Sequence, residues 1–147
     1  MGLDMAKSQP AGGPLQPARS GLTVLFVDPD VNAAQRLARA LPGQAVLGIA
    51  PTGMAAMNAL RERLPSLIVM EMDLPDLSGV DLIGRIHSSP ITRNILLMVV
   101  TQRSGVRDKI AAFEAGADDY LIKPLDPQQF LLHVQLLSRF RQLIGGY

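Results

Sequence analysis

From residue 21 onward, short hydrophobic runs alternate with longer stretches in which apolar residues recur every three to four positions. The runs are Thr23–Val27, Gln44–Ala50, Leu67–Met70, Ile95–Val100 and Tyr120–Ile122. Four of these five are nearly unbroken, the pattern of strands covered on both faces. The intervening stretches, Val31–Leu41, Thr52–Arg63, Val80–His87, Val106–Ala115 and Pro127–Ile144, predict five helices. In the first of them Val31, Ala34, Leu37, Ala38 and Leu41 fall on one side.

Local signals support these boundaries. Asp30, Thr52, Ser78 and Ser104 are candidate N-caps for the first four helices, and Pro65 follows the second. Gly116 stands where a helix commonly stops with a left-handed residue. Asp126 followed by Pro127 is a cap plus first-turn proline for the last helix. Five strands alternating with five helices predict a mostly parallel, doubly wound α/β sheet with helices on both faces. Residues 1–20 have no apolar period and are punctuated by Pro10, Gly12, Gly13, Pro14 and Pro17, so they read as a flexible tail before one domain over 21–147.

Composition narrows the function classes. The chain has 147 residues, 48% hydrophobic and 18% charged, enough for a single core. Lys plus Arg is 14 against 13 for Asp plus Glu, so no bulk positive charge is available for nucleic acid. The lack of cysteine excludes disulfides and thiolate zinc sites. His87 and His133 are too few for a histidine-rich metal cage. With no acid–base partner evident on their predicted helices, both read as solvated positions. Met54, Met57, Met70, Met72 and Met98 read as core or pocket filler. No run approaches the ~20 apolar residues of a membrane span, and no signal-peptide core is present, which gives a cytoplasmic reading.

In sheets of this kind, sites form just beyond the carboxyl ends of the strands. Those positions hold Asp28-Pro29-Asp30, Glu71-Met72-Asp73-Leu74-Pro75, Thr101-Gln102 and Lys123-Pro124. Acids, a hydroxyl and a lysine thus converge, a set suited to phosphoryl oxygens and a hard divalent cation. As pure structure, Thr101 would cap the following segment and Tyr120 would be a half-buried strand aromatic.

The stretch Gly116-Ala117-Asp118-Asp119-Tyr120-Leu121-Ile122-Lys123-Pro124, with the loop Asp73-Leu74-Pro75-Asp76-Leu77-Ser78-Gly79, resembles the receiver domain of bacterial two-component response regulators. The resemblance runs from Leu22 to about Leu143. It implies a flavodoxin-like, CheY-like sheet of order 2-1-3-4-5 and a signalling module rather than an enzyme. It also implies an aspartate after strand three that accepts a phosphoryl group from a sensor kinase, and an acidic pair after strand one that helps hold Mg²⁺. A Ser or Thr and an aromatic would switch rotamer on phosphorylation, and a lysine before a proline, in a cis bend, would contact the phosphoryl group. Thr101, Tyr120 and Lys123 match. The acceptor position falls on Glu71, and the acidic pair falls on Asp28 and Pro29.

Those two departures change the expectation. Glu71 carries its carboxylate one methylene further than aspartate would, and in-line transfer tolerates little displacement. Pro29 supplies no ligand, so Mg²⁺ held by Asp28, Glu71 and the Asp73 backbone would be weak or absent, while Asp30 reads as a helix cap. Glu71 paired with Lys123 would then be a partial, permanent phosphoryl mimic or a static ion pair. The alternatives are a Mg²⁺-dependent receiver phosphorylated on Glu71 or Asp73, and a flavodoxin-like small-ligand module. The latter lacks a glycine-rich phosphate loop after strand one.

The last helix is apolar on two sides. Phe130, Val134, Leu137 and Ile144 form one stripe, and Leu132, Leu136, Phe140 and Leu143 form another, bordered by Arg139 and Arg141. The second stripe predicts a partner interface. In the family, the face made by helix four, strand five and helix five carries dimer or output contacts. The expected partners are proteins: a sensor kinase, a downstream signalling protein or a second copy. No DNA-binding segment follows Ile144, so the chain is expected to act by protein contact or to be one domain of a longer regulator.

Overall fold

The computed structural model describes residues 21–145, with side chains through Phe140. The expected tail over 1–20 and the side chains of Arg141, Leu143 and Ile144 lie outside the described residues.

The strands are β1 (Val24–Val27), β2 (Val46–Ala50), β3 (Leu67–Met70), β4 (Leu96–Thr101) and β5 (Asp119–Ile122). The helices are α1 (Val31–Ala38), α2 (Gly53–Glu62), α3 (Gly79–Ser88), α4 (Val106–Ala115) and α5 (Pro127–Gly145). All strand pairings are parallel and the sheet order is β2-β1-β3-β4-β5. The parallel pairing is the one expected from the alternation, and the order is the one the resemblance to receiver domains implies.

Two hydrophobic clusters flank the sheet. On one side Leu25, Ile68, Met70, Leu97 and Val99 meet Ala56, Leu60, Leu82, Ile83, Ile86 and Ala112. On the other, Val24, Phe26, Val69, Met98 and Val100 meet Ala34, Leu37, Phe130 and Val134. Strand residues alternate between the clusters, and helices cover both, so β1 and β3 are buried at every position. That burial is why their sequences are unbroken hydrophobics. Phe26 and Phe130, with ring centroids 6.1 Å apart, tie β1 to α5.

The caps follow the sequence in most places. Asp30 accepts from the Ala33 N–H, Thr52 from Ala55, Ser78 from Asp81 and Asp126 from Gln128. Asp76 adds a second cap to α2, accepting from the Gly53 and Met54 N–H groups at 2.9 and 2.8 Å. The Met54 bond is the main cause that holds the Asp76 carboxyl below its ordinary pKa, against the opposing effect of desolvation.

Several expectations need correction. The N-cap of α4 is Gly105, not Ser104, and no side chain caps that end. Helix α1 ends at Ala38 instead of Leu41, because the Ala40 and Leu41 N–H groups bond three residues back and Pro42 follows. The second strand begins at Val46 instead of Gln44, since Gly43–Ala45 form a 3₁₀ turn closed by the Ala45 N–H on the Pro42 carbonyl. Met54 is 48% exposed on the first turn of α2 and is not core filler.

Two glycines are required by their surroundings. Gly116 has φ +132°, and a Cβ there would stand 2.7 Å from the His87 ring. A Cβ at Gly79 would stand 2.6 Å from Met72 Cα, where the Gly79 N–H donates to the Met72 carbonyl. The second contact shapes the loop that leaves β3. Among the described residues, no helix is long and apolar enough to cross a membrane.

Candidate functional site

Register places the chemistry. Val27 stands opposite Met70, so Asp28 and Glu71 leave adjacent strands at the same level. Thr101 stands opposite Ile122, and the Lys123 N–H donates to the Thr101 carbonyl at 2.8 Å. The four residues singled out at strand ends therefore meet at one cleft.

Glu71 points into that cleft and is 8% exposed. Its Oε1 accepts from Lys123 Nζ at 2.9 Å. Its Oε2 accepts from the Met72 N–H at 2.7 Å, the Asp73 N–H at 3.0 Å and the Thr101 hydroxyl. The extra methylene lets the carboxylate fold back onto its own loop and reach β4 as well. Lys123 Nζ also donates to Asp28 Oδ2 at 2.7 Å, and Asp28 Oδ1 accepts from the Asp30 N–H at 2.9 Å. The Lys123–Pro124 peptide bond is cis. Burial pushes the Lys123 pKa down, but its bonds to Asp28 and Glu71 outweigh that and leave it raised.

The remaining candidates sit around this core. Thr101 is fully buried, and its hydroxyl also accepts from the Arg103 N–H at 3.3 Å. The Tyr120 ring is buried against Phe113, at a centroid distance of 6.3 Å, and its hydroxyl donates to the Arg103 carbonyl at 2.7 Å. Burial, then the nearby Asp108 charge, raises the Tyr120 pKa. Asp30 caps α1, as expected, and Pro29 contributes nothing to the cleft. Asp73 turns its carboxylate outward, with Oδ1 at 2.8 Å from Arg103 Nε and 2.7 Å from Arg103 Nη2. Arg103 Nη1 lies 3.5 Å from Asp108.

The donor set does not fit a divalent cation. Every carboxylate oxygen of Asp28 and Glu71 already accepts at least one hydrogen bond. Lys123 places an ammonium between the two acids, and a second cation there would meet its full charge. Pro29 leaves no third acid. Among the described residues, no group of three or more His, Cys, Asp or Glu side chains is placed to hold a metal.

Sequence reasoning missed two contacts. His133 Nδ1 lies 2.7 Å from Asp119 Oδ2, so this histidine does have an acidic partner, supplied by β5 across the fold. Arg103 lacks any strand-end signature, and only the tertiary fold brings it onto Asp73, Asp108 and Tyr120. On α5, Phe130 and Val134 are buried, while Leu132, Leu136 and Phe140 are 52%, 49% and 55% exposed. On α4, Val106, Ile110 and Phe113 are exposed as well, a spacing of four and three that the sequence displays.

A parallel five-stranded sheet of this order, with a threonine, a tyrosine and a lysine–cis-proline about an acidic cleft, defines a receiver-type signalling module. The family model of the response regulator receiver domain matches residues 24–135, and the chain belongs to that family. An uncharacterized 14.6 kDa protein in the sodA1 3′ region of Leptolyngbya boryana is 31% identical over 115 residues, covering 78% of this chain and 88% of that protein. The transcriptional regulatory protein KdpE of Mycobacterium tuberculosis is 32% identical over 121 residues, covering 79% of this chain and 50% of KdpE. The chain thus spans about half the length of KdpE and of the other mycobacterial regulators it matches. Among solved structures, a proposed response regulator from Chloroflexus aurantiacus superposes with a TM-score of 0.74 at 32% identity, over 80% of this chain and 98% of that one. The chain is a receiver domain of the two-component response regulator type.

Proposed function

We propose that this receiver works without aspartyl phosphorylation, with Glu71 as a resident partial mimic of the phosphoryl group, and that it signals through protein contacts. The observation that carries the reading is the saturation of the Glu71 carboxylate. One oxygen holds Lys123, and the other holds two backbone N–H groups and the Thr101 hydroxyl. These are the lysine and hydroxyl that the family directs at a phosphoryl group. A carboxylate brings one charge where a phosphoryl group brings nearly two, so the imitation is partial. Tyr120 lies buried, with its hydroxyl on Arg103, beside the engaged Thr101.

The output surface is the edge at β5, with α4 and α5 on opposite faces of the sheet. Val106, Ile110 and Phe113 on one helix and Leu132, Leu136 and Phe140 on the other expose apolar side chains there. A partner protein, or a second copy of this chain, would bury them.

Incubation with acetyl phosphate and Mg²⁺, followed by intact-mass measurement, tests the proposal. The mass should not change. A gain of one phosphoryl group that disappears in Glu71→Gln or in Asp73→Asn would overturn it, and would identify the acceptor.

A further inference from the structure

Arg103 joins four elements through three different groups. Its N–H donates to Thr101 Oγ1 at the end of β4, and its carbonyl accepts the Tyr120 hydroxyl from β5. Its guanidinium holds Asp73 in the loop after β3 and Asp108 in the first turn of α4. The first turn of α4 needs such a tether, because Gly105 supplies no side-chain cap. Of the two candidate tethers at this end, Ser104 makes no capping bond and Asp108 is held by Arg103. Thr101 in turn donates to Glu71, so two hydrogen bonds lead from the Glu71 carboxylate through Thr101 to the Arg103 backbone, and the Arg103 side chain continues to α4 through its 3.5 Å ion pair with Asp108.

We infer that Arg103 is the positioning residue that couples Glu71 to α4, fixing the 102–105 loop and with it the presentation of Val106, Ile110 and Phe113. The inference rests on the reading of Glu71 as a resident mimic and adds the route by which that residue acts. The guanidinium is half exposed, as are its acidic partners. The tether is therefore a modest one, suited to biasing a loop and not to holding the fold together.

Amide hydrogen exchange of the full chain, read by mass spectrometry over Lys109–Phe113, tests the coupling. Arg103→Ala should speed exchange there about three- to tenfold, the scale of losing one exposed ion-pair network. Exchange in β1 should not change. Asp73→Asn should give part of the same effect without altering residue 103. Glu71→Ala, which takes away the acceptor of the Thr101 hydroxyl, should speed exchange in α4 of the native chain and have no further effect once residue 103 is Ala. Unchanged α4 exchange in Arg103→Ala, or an equal Glu71→Ala effect in both backgrounds, would overturn the inference. The acetyl phosphate experiment is independent: a phosphorylated chain that keeps the Arg103-dependent coupling would remove the mimic reading and leave the relay standing.

Discussion

Lys123 Nζ stands 2.9 Å from Glu71 Oε1 and bridges it to Asp28 Oδ2 at 2.7 Å. An ammonium thus occupies the space between the two acids that a phosphoryl site would leave for a metal. Both partners are largely buried, with side-chain exposures of 17% for Lys123 and 10% for Glu71. At that depth the cost of breaking the arrangement depends on which partner is removed.

Removing the lysine is the more damaging change. Lys123→Met leaves Asp28 and Glu71 facing each other without a cation and should cost about 3 kcal/mol. Glu71→Gln keeps an acceptor oxygen for the Met72, Asp73 and Thr101 donors and leaves Lys123 on Asp28, so it should cost about 1 kcal/mol. Urea denaturation of the two variants checks the order, and a larger loss for Glu71→Gln would contradict it.

Alkaline pH should reveal the same ammonium. Its folded pKa lies above the unfolded value of about 10.4, so its stabilisation is full below that pH and is lost as pH rises through the folded value. Tyr120 has the same sign, because burial raises its pKa and the unfolded phenol ionises first, from about pH 10. Melting temperature should hold between pH 7 and pH 9 and decline above about pH 10. Tyr120→Phe should remove part of that decline and Lys123→Met most of the rest. A native profile that stays level to pH 11.5 would refute this account.

Metal binding should return only when both departures are reversed. Glu71→Asp shortens the carboxylate but still leaves Asp28 as the single acid that the first loop turns into the cleft, since Asp30 caps α1. Glu71→Asp with Pro29→Asp supplies two acids beside Asp28 and should bind Mg²⁺ detectably by titration calorimetry. The single variant should bind at least about tenfold more weakly, the scale of one lost carboxylate ligand. Equal affinity in the two variants would show that Pro29 is irrelevant.

The two stripes of α5 should separate stability from association. Leu136→Glu alters a half-exposed side chain and should change stability by less than about 0.5 kcal/mol while abolishing self-association or partner capture. Val134→Glu buries an unpaired charge in the hydrophobic cluster between α5 and the sheet and should unfold the domain. Sedimentation velocity together with thermal melts distinguishes the two effects. Unaltered assembly in a self-associating chain carrying Leu136→Glu would place the interface elsewhere.

Gly116→Ala should cost more than about 1 kcal/mol, since φ +132° strains any L residue and the methyl would meet the His87 ring. His87→Ala removes the ring but keeps its own Cβ, which would stand 2.9 Å from the new methyl, and it leaves the backbone strain. The double variant should therefore recover only part of the loss in a thermal melt.

Both faces of the core and the four strand-end positions were legible in the chain, because burial on two sides writes itself as uninterrupted hydrophobic runs, while the sheet order came from the resemblance to receiver domains. Boundaries were less so. The end of α1 at Ala38 and the start of β2 at Val46 depend on local i→i+3 bonding around Pro42, which hydrophobic periodicity does not encode. Ser104 carried the residue type of a cap, yet the N-cap is Gly105, one position later, while the helix itself spans Val106–Ala115 as expected.

Sequence alone determined that a glutamate, a proline, a threonine and a lysine would stand at the ends of neighbouring strands, since parallel registry makes that a matter of counting. The tertiary structure alone decided how those groups are bonded. It set Glu71 on Lys123, Thr101 and its own loop, and it brought His133 to Asp119 and Arg103 to Asp73, Asp108 and Tyr120. The reason is that spacing along a chain fixes where a backbone emerges. Which donor meets which acceptor depends on side-chain directions converging from separate segments, within the few tenths of an ångström that a hydrogen bond allows.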